Sequence, residues 1–203
     1  MKKSQKINDI VFAILAIISS LTFLFCFIFK YNFIAMQCMF FFLSLYLPVL
    51  ISFIFKIKIA PCIYFIYEIF LILHFVLGEI FNFYILFAHY DTTLHFTTAI
   101  LLSILGYSIV HYYLNDNYFF LQITFAFLFS LSLEYGWEIL EFTIDHFFNT
   151  NMQRFMKNGV MLSGHLALKD TIKDMIVAIL GSSFIIFLSK IKPIKQLKIV
   201  LRK

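Results

Sequence analysis

The sequence predicts an all-α membrane protein, a polytopic bundle of about six transmembrane helices. Three observations predict this class: the composition, a series of apolar runs long enough to cross a bilayer, and an uneven distribution of basic residues. The chain of 203 residues is 62% hydrophobic and 13% charged, and its mean hydropathy is +0.92. Soluble domains are about half apolar and about a quarter charged. Since no polar interval is long enough to fold alone, we expect one integral membrane domain over residues 1–203.

The apolar runs give the order of the predicted helices. The first run is too long for the apolar region of a signal peptide and lacks a cleavage site of small residues, so we expect a retained span. The fifth and sixth runs are separated by the longest polar loop of the chain. The predicted helices are about Ile10–Phe29, Phe33–Phe55, Cys62–Phe83, Asp91–Tyr113, Tyr118–Phe147 and Asp170–Leu188, with a polar turn at Asn115–Asn117, a loop over Asn149–Lys169 and a basic tail over 190–203.

The prolines and cysteines of the first three helices are interpreted as structural. Pro48 predicts a kink whose freed carbonyl needs a partner from a neighbouring helix, and Pro61 suits the first position of the third helix. Cys26, Cys38 and Cys62 lie in apolar runs without metal-ligand spacing, which is typical of packing residues. A disulfide between Cys26 and Cys38 is the alternative.

The basic residues predict the orientation of the helices. Cytoplasmic segments carry an excess of Lys and Arg. With six spans, eleven of the 16 Lys and Arg residues fall on the side of the termini, so we expect both termini to be cytoplasmic. The basic tail also suits anionic lipid headgroups, and we expect no nucleic-acid binding. The five on the opposite side are Lys30, Arg154, Lys157, Lys169 and Lys173.

Four acids follow one stripe of the fifth helix. Glu134, Glu138, Glu141 and Asp145 are spaced by four, three and four residues, which places them within about 60° of one another. Acids inside a membrane helix are costly and are typical of functional sites. Glu134 lies about 16 Å deeper than Asp145, so it is the weakest candidate for a shared metal and the best for holding a proton or bridging helices.

Further ionisable residues are expected at the same membrane side. Asp91 and His95 stand at the start of the fourth helix, and Asp170 and Asp174 at the start of the sixth. Each pair is four residues apart and so shares a helix face. Because the orientation rests on Lys and Arg alone, the convergence of these residues and of the acidic stripe predicts a single extracytoplasmic site. Glu79, at the outer end of the third helix, is close to it.

The residue types at this site indicate a divalent cation. Facing helices of bundles build carboxylate–histidine metal sites, and this donor set suits Mg²⁺, Ca²⁺, Mn²⁺ or Zn²⁺. Without a cation, some of the clustered carboxyl groups would have to hold protons. In an enzyme, Glu138 or Glu141 would act as general base. The candidate metal ligands are Asp91, His95, Glu138, Glu141, Asp145, Asp170 and Asp174.

Structural interpretations of the same residues stay open. Asp91 and Asp170 are well placed as helix N-caps. Glu138 and Glu141 are candidates for ion pairs with Lys173, Lys169 or Arg154, and Glu68 and His74 for polar contacts between helices. Trp137 suits packing at the interface better than ligand stacking, and Gly136 and Gly181 predict close helix contacts.

Four motifs resemble the YjdF-like family, bacterial inner-membrane proteins with a domain of unknown function. They are His89-Tyr-Asp91-Thr-Thr-Leu-His95-Phe, Glu134-x-x-Trp137-Glu138-x-x-Glu141-x-x-x-Asp145, Asn149-Thr-Asn-Met-Gln153 and Asp170-Thr-x-x-Asp174-Met followed by Gly181. Their order and spacing cover about Leu73–Gly181. The helices carrying the acids are more distantly similar to the VanZ-like membrane proteins. The resemblance implies a protein of the bacterial inner membrane whose motif acids form its functional centre.

Three functions therefore remain open from the sequence. The first is a cation-binding site that acts on an outer-leaflet lipid or another cell-envelope substrate. The second is a small proton- or ion-coupled transporter, and the third is an envelope-stress or immunity-type scaffold whose acids only join helices. The sequence has no G-x-S-x-G, H-E-x-x-H or phosphate-binding Gly loop that would specify a reaction.

Overall fold

The computed structural model of the chain describes residues 2–54, 56, 59–114, 118–157 and 159–189. Within these ranges, six helices are long and apolar enough to cross a membrane, which confirms the predicted all-α polytopic class. The predicted turn at Asn115–Asn117 and the basic tail from Lys190 lie outside the described residues. The six candidate spans are Lys6–Ile28, Asn32–Ile54, Ile63–Ile80, Tyr90–Tyr113, Phe119–Phe148 and His165–Leu188.

The described residues form two compact units, residues 2–90 and residues 91–189. The first unit holds the first three candidate spans, of which the second and third are interrupted. Its elements are α1 (Lys2–Ile28), α2 (Asn32–Leu45), α3 (Leu47–Ile54), α4 (Pro61–Leu71), a π-helix (Ile72–Ile80) and α5 (Phe83–Leu86).

Pro48 interrupts the second span, as predicted. α2 ends before Tyr46 and α3 follows. Pro48 has no N–H to donate to the carbonyl of Ser44 one turn earlier. The hydroxyl of Tyr67 in α4 donates to that carbonyl over 2.8 Å, so a neighbouring helix supplies the expected partner. Pro61 is the first residue of α4, also as predicted.

Cys26 of α1 and Cys38 of α2 are packing residues. Both are buried free thiols. The alternative of a disulfide between the first two helices is therefore wrong.

The third span departs from the regular helix predicted over Cys62–Phe83. Its second half is a π-helix, Ile72–Ile80, in which the N–H of Phe81 bonds to the carbonyl of Val76 over 2.9 Å. The chain then turns at Asn82, which has a positive φ of 59°. An apolar sequence is compatible with both helix types, because they differ by one residue in hydrogen-bond register. Hydropathy alone therefore could not predict the π-helix.

Glu68 and His74 of the third span are buried within the first unit, and Glu79 is half-buried. His74 contacts the hydroxyl of Tyr84, and the amide of Gln37 in α2 donates to Glu79 over 3.3 Å. The contact of His74 with Tyr84 confirms that His74 forms a polar contact between helices. Glu68 is 3% exposed, and neither of its carboxyl oxygens has a hydrogen-bond partner among the described residues.

The second unit consists of three long helices and a short hairpin. Its second helix is close to the prediction, but its last helix begins at His165 rather than at Asp170. Gly164 provides the break with a φ of 57°, and the residues after it, His-Leu-Ala-Leu-Lys, are mostly good helix formers. The elements are α6 (Tyr90–Tyr113), α7 (Phe119–Phe148), β1 (Met156–Lys157) antiparallel to β2 (Val160–Met161), and α8 (His165–Leu188).

Small and polar residues join these three helices. Ser182 of α8 donates to Ser130 of α7, which donates to the carbonyl of Ala99 in α6, both over 2.8 Å. Large apolar side chains point outward instead: Phe120 is 84% and Ile139 67% exposed. This reverses the pattern of a soluble helix and is typical of helices that pack in lipid.

Of the two glycines predicted at close helix contacts, one is confirmed. A Cβ added to Gly181 of α8 would lie 2.6 Å from the carbonyl oxygen of Phe96 in α6, so only glycine allows this approach. A Cβ added to Gly136 of α7 would meet no described atom within 4 Å. The prediction for Gly136 is therefore wrong.

Candidate metal centre

The four acids of α7 lie on its buried face, as their spacing predicts. Glu134, Glu138, Glu141 and Asp145 are 4%, 6%, 8% and 6% exposed. They continue the inward stripe that contains Ser130. Burial of a carboxylate is costly unless the group is paired or hydrogen-bonded. The partners of these acids therefore indicate what each one does.

His95 of α6 stands among three of the carboxyl groups. Its Nδ1 lies 3.0 Å from Oε2 of Glu134, while its Nε2 lies 3.6 Å from Oδ1 of Asp91 and 3.7 Å from Oε1 of Glu138. The side chain of His95 is 9% exposed. Helix α6 brings Asp91 beside His95 because the two are one turn apart, and α7 supplies the two glutamates.

The two ring nitrogens of His95 have different roles. A neutral imidazole that donates Nδ1–H to Glu134 presents the lone pair of Nε2 to Asp91 and Glu138. A lone pair and two carboxylates repel one another unless a positive charge lies among them or one carboxyl group holds a proton. An imidazolium would meet this need with hydrogen bonds of about 2.7–2.9 Å, shorter than the 3.6 and 3.7 Å observed. Two ligands that share a metal ion are about 3.4 Å apart, from bonds of about 2.1 Å at a tetrahedral angle.

Asp174 of α8 completes a group of three potential ligands. One ligand atom each from Asp91, His95 and Asp174 lies within 4.8 Å of the other two. The side chain of Asp174 is 4% exposed and that of Asp91 is 13% exposed. Oδ1 of Asp174 and Oε1 of Glu138 are buried and accept no hydrogen bond from a described residue, and Nζ of Lys173 lies 3.4 Å from Oδ1 of Asp174. Their lone pairs fit a bound cation, with Glu138 in reach as a fourth ligand or as a base.

Lys173 and Arg154 form a more exposed cation pair beside this group. Nζ of Lys173 lies 2.8 Å from Asp170, 3.4 Å from Asp174 and 3.8 Å from Asp91. Nε of Arg154 lies 3.3 Å from the other oxygen of Asp170, and its Nη2 lies 3.8 Å from Asp91. Their side chains are 38% and 33% exposed. Asp170 thus holds both cations, and its N-cap interpretation is wrong because α8 begins at His165.

Asp145 holds the loop that follows α7. It accepts hydrogen bonds from the backbone N–H of Met152 over 2.7 Å, from that of Gln153 over 2.9 Å, and from the hydroxyl of Thr150. Gln153 in turn donates to the hydroxyl of Thr171 in α8 over 3.0 Å. These bonds place the residue after Gln153, Arg154, beside the acids of α6 and α8.

Glu141 has a separate partner on its own helix. The indole N–H of Trp137 donates to Oε1 of Glu141 over 2.8 Å. Trp137 therefore donates a hydrogen bond to a buried acid. Neither of the two predicted roles, packing at the interface and ligand stacking, included this bond. Of the two proposed bases, Glu138 is the one beside the imidazole of His95.

The structure divides the predicted ligand set into three groups. Asp91, His95, Glu138 and Asp174 come together, with Glu134 bonded to the imidazole. Asp170 joins them through the cation pair. Glu141 and Asp145 have contacts of their own with Trp137 and the loop, and Glu79 lies in the first unit.

Residue spacing did not predict the hydrogen bonds that Gln153 makes to α7 and α8. Its side chain donates to Thr171 and, over 3.4 Å, to the backbone carbonyl of Glu138. The available signal was its place at the end of the Asn149–Gln153 motif. A polar motif in a loop has no helical period, so spacing gave no face or partner for it.

The formal charges of the second unit favour a cation at this site. The acids described above comprise seven carboxyl groups, on Asp91, Glu134, Glu138, Glu141, Asp145, Asp170 and Asp174, and they face two fixed positive side chains, Lys173 and Arg154. Asp145 is stabilised by backbone N–H groups and Glu141 by an indole N–H. Asp170 contacts Lys173 and Arg154, and the other four carboxyl groups surround His95, where a divalent ion would balance two charges.

The chain belongs to the family described as predicted membrane protein (DUF2238), whose model matches residues 10–192. The YjdF-like family is this family, so the resemblance seen in the four motifs is confirmed. No curated protein and no solved structure matches the chain significantly.

Proposed function

We propose that this membrane protein binds a divalent cation at Asp91, His95 and Asp174 and acts on a phosphoryl group of a cell-envelope substrate. The observation that carries the proposal is the position of His95 Nε2, 3.6 and 3.7 Å from two carboxylate oxygens. One imidazole with carboxylate oxygens suits Zn²⁺ or Mn²⁺ better than Mg²⁺ or Ca²⁺, which prefer oxygen ligands alone.

The location proposed for this site is the extracytoplasmic side of the cytoplasmic membrane of a bacterium. The excess of Lys and Arg on the side of the termini supports it. The outer ends of α6, α7 and α8 then hold the cluster, within reach of outer-leaflet lipids and envelope intermediates. Membrane lipids contact the exposed apolar faces of the same helices.

Each residue of the cluster has a defined task in this proposal. Asp91, His95 and Asp174 hold the cation, which when bound polarises a phosphoryl oxygen or activates water. Glu134 accepts Nδ1–H of His95 and so fixes the ring orientation and the tautomer that leaves Nε2 free to bind metal. Glu138, buried beside Nε2, is the general base that takes a proton from the attacking water.

Two measurements on the purified protein test this proposal. Its melting temperature reports cation binding, and release of phosphate reports the reaction. Addition of Zn²⁺ or Mn²⁺ at about 100 times the dissociation constant stabilises the fold by about 2.7 kcal/mol. We expect a higher melting temperature that Asp174→Asn abolishes, and release of phosphate from lipid phosphates that Glu138→Gln abolishes while the metal-induced shift remains. Unchanged melting of the wild type with every divalent ion would contradict the proposal.

Glu68 favours a second candidate, a proton-coupled transporter. It is an acid inside the third span, 3% exposed, and its carboxyl oxygens have no hydrogen-bond partner among the described residues. Such acids carry protons in transporters. Loss of proton flux in liposomes for Glu68→Gln, with flux retained in Asp174→Asn, would favour transport. A scaffold predicts that both substitutions change stability only.

A further inference from the structure

The cation pair, Lys173 and Arg154, is the most exposed part of the polar cluster. Their side chains are 38% and 33% exposed, against 19% for Asp170, 13% for Asp91 and 4% for Asp174. A molecule that reaches the cluster from solvent therefore meets a guanidinium and an ammonium before the proposed metal ligands. Positive groups at an entrance attract anions and raise their local concentration.

The loop positions Arg154 at an energetic cost. Arg154 has a φ of 53°, in the left-handed region that residues with a side chain seldom adopt. Its N–H bonds to the carbonyl of Asn151 over 3.2 Å, and the residues just before it are held by Asp145. Unfavourable backbone conformations persist where the surroundings impose them, and they are concentrated at functional sites.

Asp170 contacts both cations of the pair. One of its carboxyl oxygens contacts Lys173 and the other contacts Arg154. The two positive groups therefore flank one carboxylate, and both are partly exposed. A planar guanidinium beside an ammonium is a combination that recognises phosphate oxygens.

We propose that Arg154 and Lys173 bind the phosphate group of an anionic ligand that enters above Asp91, His95 and Asp174. This inference rests on the proposed metal centre, because a bound divalent ion offsets the negative charge of Asp91 and Asp174 and gives the phosphate a third positive partner. The shared chemistry is a terminal phosphate group, carried by a lipid headgroup or by a soluble ester.

Phosphate binding by the full chain in nanodiscs tests this inference. The soluble probe is radiolabelled inorganic phosphate, and the lipid probe is phosphatidic acid added to phosphatidylcholine nanodiscs, each in the presence of Mn²⁺. We expect Arg154→Gln and Lys173→Gln each to weaken phosphate binding by about tenfold, the effect of one lost charge-assisted hydrogen bond. Binding of phosphatidic acid alone would identify a lipid source, and binding of both probes a source that includes soluble esters.

Two matched controls separate this effect from general charge. Lys169 lies one turn before Lys173 on α8, and Lys157 lies in the same loop segment as Arg154; both are exposed. Lys169→Gln and Lys157→Gln should leave phosphate binding unchanged. The double variant Arg154→Lys, Lys173→Arg, which keeps both charges, should retain most of the binding and shows whether the loop still folds.

Metal content measured in every sample distinguishes the two proposals. Bound metal with phosphate affinity that is equal in wild type, Arg154→Gln and Lys173→Gln would overturn the phosphate site and leave the metal centre intact. Bound metal without binding of either probe would have the same meaning. A wild type that holds no metal and no phosphate would overturn both.

Discussion

Replacement of Asp145 by asparagine removes one of the acceptors that hold the loop after α7. In the wild type, one carboxyl oxygen accepts from Met152 N–H and the other from Gln153 N–H, over 2.7 and 2.9 Å. Asparagine keeps one oxygen and places an NH₂ group opposite the second N–H. A hydrogen bond to a charged group contributes about 1.5–3 kcal/mol, so the population of the open loop should increase about 10- to 150-fold.

Limited proteolysis with trypsin measures this opening directly. Arg154 and Lys157 lie in the loop, and cleavage of a loop that opens and closes rapidly follows the open population. We expect Asp145→Asn to accelerate cleavage after these two residues by about 10- to 150-fold. Cleavage after Lys169 should change much less, because Lys169 lies within α8, whose backbone hydrogen bonds do not depend on Asp145.

The neighbouring exposed residue provides a matched control. His146→Gln on the same helix turn should be cleaved at the wild-type rate, since the His146 side chain points outward. Equal cleavage of Asp145→Asn and wild type after Arg154 would refute the conclusion that Asp145 is the loop anchor. It would return Asp145 to the set of candidate metal ligands.

Three further substitutions test the packing of α8 against α6 and the orientation of the His95 ring. Gly181→Ala should destabilise the fold by about 1–3 kcal/mol, because its Cβ would approach the Phe96 carbonyl oxygen to 2.6 Å. Gly136→Ala should be neutral or stabilise the fold by about 0.5–1 kcal/mol. Melting curves that rank the two variants in the opposite order would contradict this prediction. Glu134→Gln should weaken metal affinity about 10- to 100-fold through His95 without removing the site, and a titration with unchanged affinity would show that Glu134 does not orient the ring.

Helical spacing was sufficient to predict which face of α7 is buried. In a membrane helix of this composition, carboxyl groups cannot face lipid, so their angular position fixes the inward side. The same argument placed Asp91, His95 and Asp174 on faces that meet, because each helix presents one stripe. Pro48 and its carbonyl partner followed from the missing N–H alone.

The partners of each acid could not be predicted from spacing. Asp145 and Glu138 are less than two turns apart on α7. Asp145 nevertheless accepts hydrogen bonds from loop N–H groups, whereas Glu138 faces the imidazole of His95. This difference depends on the path of residues 149–157, which no periodic pattern describes. The start of α8 at His165 was missed because the charged residues Lys169 and Asp170 separate Leu166–Leu168 from the apolar run that follows.

The most direct test of the metal centre is elemental analysis of the detergent-purified protein. Wild type should contain about one equivalent of a divalent metal, and Asp174→Asn and His95→Gln should lose it. Asp145→Asn, which alters the loop and not the ligands, should keep it. Wild-type protein without bound metal, even after addition of Zn²⁺ and Mn²⁺, would contradict the account and leave His95 as an imidazolium paired with its carboxylates.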